Sequence, residues 1–181
     1  MGKIDVPSNN AGGYQFFTKD LAHRVSFLDL TQEEWDTVLR FKLTTAFLCC
    51  KAALPHVVAR GSGGIINVTS ANVARRGVAG QAAYSASKAA VERLTESLAD
   101  EMASRGIAVN NLTPGWVLTC SNDDYEADVH KRMRLPEDIA EAAVFLALQT
   151  PETIIGRLLS APDFDKEHGI NRPSAFDRLQ A

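Results

Sequence analysis

Residues 82–115 read AAYSASKAAVERLTESLADEMASRGIAVNNLTPG. The stretch predicts a helix from about Ala82 to Ser104, which Gly106 stops, because glycine takes the left-handed conformation that ends helices. IAVNNL at 107–112 then reads as a strand, closed by the turn pair Pro114-Gly115. A helix long enough to cross over, leading directly into a strand, is the repeating unit of a parallel sheet.

The same unit recurs on both sides. Upstream, GSGG at 61–64 is a turn and IINVTS at 65–70 reads as a buried strand. Before it, TQEEW places Glu34 three residues after Thr31, a capping signal. Trp35, Val38, Leu39, Leu43, Ala46 and Phe47 follow at helical spacing, so this helix is expected to run to about Arg60. Residues 14–30 are mixed and read as loop with a short helix. IDVPS at 4–8 reads as a strand running into the turn NNAGG, and Pro7 removes a ladder donor there. Downstream, Pro136 and Glu137 start a third helix, and TIIGRLLS at 153–160 suggests a last strand. The polar residues 161–181 are expected to form an irregular tail, which leaves 1–160 as the folded domain. The fold class is therefore α/β: a Rossmann-like parallel sheet with helices on both faces. In such sheets the active site lies at the carboxyl ends of the strands. NNAGG, Ser70 and PGWVLT each follow a strand and so converge on one edge.

Composition narrows the function. The 181 residues carry a net charge of −3 with a pI near 5.8, which argues against nucleic acid as a partner. Three cysteines, two of them adjacent (Cys49-Cys50, with Cys120), make neither a disulfide framework nor a zinc site. That suits a reducing cytoplasm. No apolar run of membrane-span length and no signal-peptide core is read, so neither a membrane partner nor a metal is expected.

Within the central helix, YSASK at 84–88 sets Tyr84 and Lys88 four positions apart, on one helix face. There the ammonium can stabilise a phenolate; the alternative is two unrelated residues on a solvated helix. Ser70 at a strand end and Pro114-Gly115 also have a bland reading as turn residues.

Taken in order, Asn9-Asn10-Ala11-Gly12, Ser70, Tyr84-x-x-x-Lys88 and Pro114-Gly115 with Thr119 resemble the short-chain dehydrogenase/reductases. The likeness covers about residues 1–160, and GQAAYSASKAAVERLTESLA and PEDIAEAAVFLA are similar to common sequences of that family. The resemblance implies hydride transfer between NAD or NADP and a small carbonyl or alcohol. It implies Tyr84 as general acid or base, Lys88 as the cation that lowers its pKa and holds the nicotinamide ribose, and Ser70 as the donor to the substrate oxygen. It implies that Asn10, Ala11 and Gly12 lie along the cofactor, and that Pro114, Gly115, Val117 and Thr119 border the nicotinamide. It also implies a homo-oligomer paired through the helices near 32–60 and 82–104.

Four differences from the family pattern stand out. Ser70 lies fourteen residues before Tyr84, one more than expected, and the loop ANVARRGVAG can absorb that. About seventeen residues separate Thr119 from Pro136, where the family commonly has a longer substrate lid. The family's helical asparagine, in a sequence like NLKG, supports a water of the proton relay; here the stretch is KLTT, with Lys42 at that place. If Lys42 points inward, two cations face Tyr84; if it reaches solvent, it leaves the site alone. Lastly, no G-x-x-x-G-x-G or G-x-G-x-x-G follows a strand, so the match begins near the family's fourth strand. The isolated chain is therefore expected to be an inactive, truncated oxidoreductase. The alternative is a non-catalytic remnant serving as an oligomerisation or interaction module.

Overall fold

The computed structural model describes residues 3–11, 25–70, 79–118 and 131–180. Among them is a four-stranded, fully parallel sheet in the order β1 (Ser8–Asn9), β2 (Gly63–Val68), β3 (Ile107–Thr113), β4 (Leu158–Ser160). The expected α/β fold is the one found.

β1 is shorter than the expected strand at 4–8, but its pairing reaches back. Gly64 N donates to Asp5 O (3.3 Å) and Ile66 N to Pro7 O (3.0 Å). Pro7 can accept without donating, which suits the edge position of β1.

The first long helix is one continuous run, Gln32–Arg60. Its start is the capping box foreseen from TQEEW: Glu34 N donates to Thr31 Oγ1 (3.2 Å) and Thr31 N to Glu34 Oε2 (2.9 Å). Between α1 (Gln32–Leu39) and α2 (Thr45–Arg60) lies a π turn, Arg40–Thr44. No periodicity in the sequence announced it. This run does reach membrane-span length, with mean hydropathy 1.2 over an 18-residue window, which corrects the sequence reading. One face packs inward through Val38, Ala46, Cys50, Ala53 and Val57, while Phe41, Phe47 and Leu48 stay exposed.

α3 (Ala82–Met102) continues as a 3₁₀ turn, Ala103–Arg105, and ends at Gly106 as expected. Gly106 has φ 75°, and a Cβ there would meet Gly61 O at 2.6 Å, so only glycine fits where two helix ends touch. The strands bury both faces. Ile65, Ile107 and Val109 pack with Cys50, Val57 and Ala99 on the α2–α3 side. Ile66 and Leu112 pack on the other side with Ala142 and Leu146 of α4 (Ala140–Ala147) and with Phe164. This parity follows from the two-residue period of a strand.

The third helix opens as a 3₁₀ turn, Pro136–Ile139, before α4. The last strand forms only at 158–160. The Asn110 side chain occupies the segment before it, donating to Ile154 O (3.0 Å) and accepting from Arg157 N (3.0 Å). The tail expected to be irregular instead holds α5 (Ala161–Glu167) and α6 (Ala175–Gln180). Ser160 Oγ accepts from Asp163 N (3.3 Å) and Ser174 Oγ from Asp177 N (3.1 Å), so SAPD and SAFD are helix starts hidden in a polar stretch. Ala161, Phe164 and Ala175 are buried, and Arg178 pairs with the buried Asp138 (2.6 Å).

A row of amides crosses the sheet on the α2–α3 side. Asn9, Asn67 and Asn111 stand in register on β1, β2 and β3. Asn9 Nδ2 donates to Asn67 Oδ1 (2.8 Å), Asn67 Nδ2 to Thr95 Oγ1 (2.8 Å), and Thr95 Oγ1 lies 2.8 Å from Asn111 Oδ1. Fully satisfied, such a network fixes the helix α3 against the strands.

Candidate active site at the carboxyl edge of the sheet

Three strand ends meet here. Asn10 and Ala11 follow β1 and are exposed, Ser70 follows β2 half-buried, and Pro114-Gly115 follows β3. Gly115 has φ 78°, and a Cβ would meet Pro162 Cγ at 2.9 Å, so this turn is pressed onto α5. Val117 bridges to Arg134 beyond it. Gly12 and Thr119 lie outside the described residues, as do residues 71–78 and 120–130.

α3 enters the site at its first turn. Tyr84 is half-buried and Lys88 is 9 % exposed, one helical turn deeper. Lys88 Nζ donates to Val68 O (2.8 Å), the last carbonyl of β2, and lies 5.9 Å from the Tyr84 ring centre. The strand end thus fixes the lysine, and the lysine faces the tyrosine. Thr69 ties the same elements together: its Oγ1 lies 3.3 Å from Lys88 O and 3.2 Å from Glu92 Oε1. Thr69 and Glu92 were not singled out from sequence; a buried acid one turn beyond Lys88 was the available signal.

Lys42 sits in the π turn and is only 5 % exposed. Of the two orientations left open by the sequence, the inward one holds. Its Nζ lies 5.4 Å from the centre of the Tyr84 ring. Both lysines line a cavity of about 90 Å³ with Asn9, Asn10, Thr45 and Cys49, and among the described residues no carboxylate lines it. Burial holds Lys88 down at about 8. Burial first, and then the charge of Lys88, hold Lys42 at about 8 as well. Cys50, deeper between Asn9 Nδ2 (3.2 Å) and Asn67 Oδ1 (3.6 Å), has its thiol pushed up by burial and is a packing group.

The edge therefore presents a phenol flanked by two buried amines, beside a hydroxyl-bearing strand end. Such an arrangement can pass a proton to or from an oxygen bound over Tyr84. Among the described residues no group of His, Cys, Asp and Glu could hold a metal.

The profile of a family described as short chain dehydrogenase matches residues 1–130. The chain is 38% identical over 156 residues to the 3-oxoacyl-[acyl-carrier-protein] reductase FabG of Chlamydia pneumoniae, covering 81% of this chain and 59% of that protein. It is 35% identical to the acetoacetyl-CoA reductase of Cupriavidus necator, covering 81% and 60%. It is 35% identical over 168 residues to FabG of Staphylococcus aureus, covering 88% and 65%. The chain thus spans about three fifths of the length of these relatives.

Proposed function

The chain belongs to the short-chain dehydrogenase family, and from that premise we propose that its carboxyl edge is the carbonyl-reducing site of an NAD- or NADP-dependent oxidoreductase. One observation carries the reading: Lys88, fixed by Val68 O, faces Tyr84 at the end of the strand that leads to Ser70. In this reading Tyr84 gives its proton to the substrate oxygen, Ser70 holds that oxygen, and Lys88 stabilises the phenolate left behind. In the oxidative direction Tyr84 takes the proton back. The nicotinamide supplies or accepts the hydride.

The donor set suits that group. A buried ammonium at Lys88, the Asn10–Ala11 strand end and the Pro114–Val117 turn surround one edge, and with Gly12 and Thr119 they are the residues that would hold it. The substrate class we propose is a small 3-oxoacyl thioester such as acetoacetyl-CoA, on the strength of what the similar proteins are named for.

The sequence holds no G-x-x-x-G-x-G or G-x-G-x-x-G pattern after a predicted strand, so we propose that the chain alone holds the pyrophosphate too weakly for turnover. Titrating it with NADH and NADPH by fluorescence tests this. No saturation in the micromolar range is expected; micromolar binding by a monodisperse chain contradicts it. We also propose pairing of copies through Gln32–Arg60 and α3, since Phe41, Phe47 and Leu48 leave apolar surface exposed on the first helix. A reducing cytoplasm agrees with the free thiols of Cys49 and Cys50. The second reading, a non-catalytic interaction module, draws on the same exposed helix.

A further inference from the structure

Lys42 is a charged group at this edge to which the reductase reading assigns nothing. A lysine inside a fold is costly, and this one is held there by backbone geometry. The π turn Arg40–Thr44 carries it inward, and Thr45 Oγ1 takes up Arg40 O (3.1 Å). π turns inside α-helices occur frequently at functional sites.

We infer that Lys42 is a positioning residue for the proton of Tyr84: its ammonium, 5.4 Å from the ring centre, works with that of Lys88 to stabilise the phenolate. Tyr84 then releases its proton at a lower pH than Lys88 alone would allow. A positive charge at this range, in a partly buried setting, favours the ionised phenol by roughly tenfold to a hundredfold. The released proton leaves through the cavity that both lysines line, which has room for water. Because Lys42 is itself held at about 8, Tyr84 and Lys42 titrate as a coupled pair, the proton loss of each opposing that of the other.

The other charged and titratable groups are placed as follows. On α3, Tyr84 and Lys88 face Lys42, and the buried Glu92 carboxylate is engaged by Thr69 Oγ1 (3.2 Å). On α2, Cys49 lines the same cavity; among the described residues β1 and the turn after it contribute Ser8, Asn9, Asn10 and Ala11, all uncharged. The inference deepens the reductase reading and rests on it for its meaning, but its test needs no turnover, so the two can fail separately.

The test is the tyrosinate absorbance of the purified chain titrated with alkali, with Tyr84→Phe subtracted to isolate one phenol. Lys42→Met should move the Tyr84 midpoint up by about one pH unit or more, a tenfold change. Lys42→Arg keeps the charge and should hold the midpoint near the parent's. An unmoved midpoint in Lys42→Met overturns the inference. So does an equal upward shift in Lys42→Met and Lys42→Arg, which would mean that shape rather than charge matters.

Discussion

Lys42 Nζ stands 5.4 Å from the centre of the Tyr84 ring, closer than the 5.9 Å of Lys88 Nζ. Two buried amines therefore share one phenol. Each is depressed from 10.5 to about 8, chiefly by loss of water.

That depression has a sign for stability. A lysine that binds its proton less well when folded penalises the fold wherever the unfolded chain is protonated. The penalty is whole below about pH 8 and fades as pH rises toward 10.5. The drop from 10.5 to about 8 at Lys42 corresponds to about 3 kcal/mol. Lys42→Met should thus stabilise the chain at pH 7 by about 2–3 kcal/mol, with the gain shrinking between pH 8 and 10.5. Urea melts of both proteins at a series of pH values check this, and a gain that does not change with pH is the opposing result.

The amide row makes a different demand. Thr95 is fully buried and serves both Asn67 Nδ2 and Asn111 Oδ1 at 2.8 Å. Thr95→Val keeps the shape but strands both partners, at a cost of about 2–4 kcal/mol. Denaturant unfolding measures it; a loss under about 0.5 kcal/mol would remove the network from the account.

Much of this was legible in the sequence because it is local. TQEEW named its own cap, Gly106 its own helix end, and the alternation of helix and strand the parallel sheet. What depends on contacts across the chain was not. The amide row needs the register of β1, β2 and β3, which residues 58 and 44 positions apart set together. The π turn has no periodic signature, so the inward aim of Lys42 was undecided. The α5 and α6 helices were hidden because their polar sequence looks like loop until Phe164 and Ala175 find the core. Ser70, Tyr84 and Lys88 were singled out through spacing and resemblance, and Val68 O, the strand-end carbonyl that anchors Lys88, was not.

The proposed pairing of copies is tested on the exposed helix face. Leu48 is 56 % exposed on α2, beside Phe47, whose ring lies 5.6 Å from Lys51 Nζ. Leu48→Glu should leave folding intact and shift the chain toward monomer in sedimentation equilibrium. An unchanged mass for parent and variant, with the parent already monomeric, removes the pairing.

The central claim is that Tyr84 passes the proton in hydride transfer. Joining ahead of residue 1 the stretch of one of the similar reductases that precedes its matched part provides a polypeptide in which to measure it. NADPH and NADH oxidation with the acyl thioester proposed above is then compared between the parent sequence and Tyr84→Phe. The account expects turnover in the parent and a loss of about 100-fold or more in Tyr84→Phe, with cofactor affinity within a few-fold. Equal turnover in the two, or cofactor binding with no turnover in either, contradicts it.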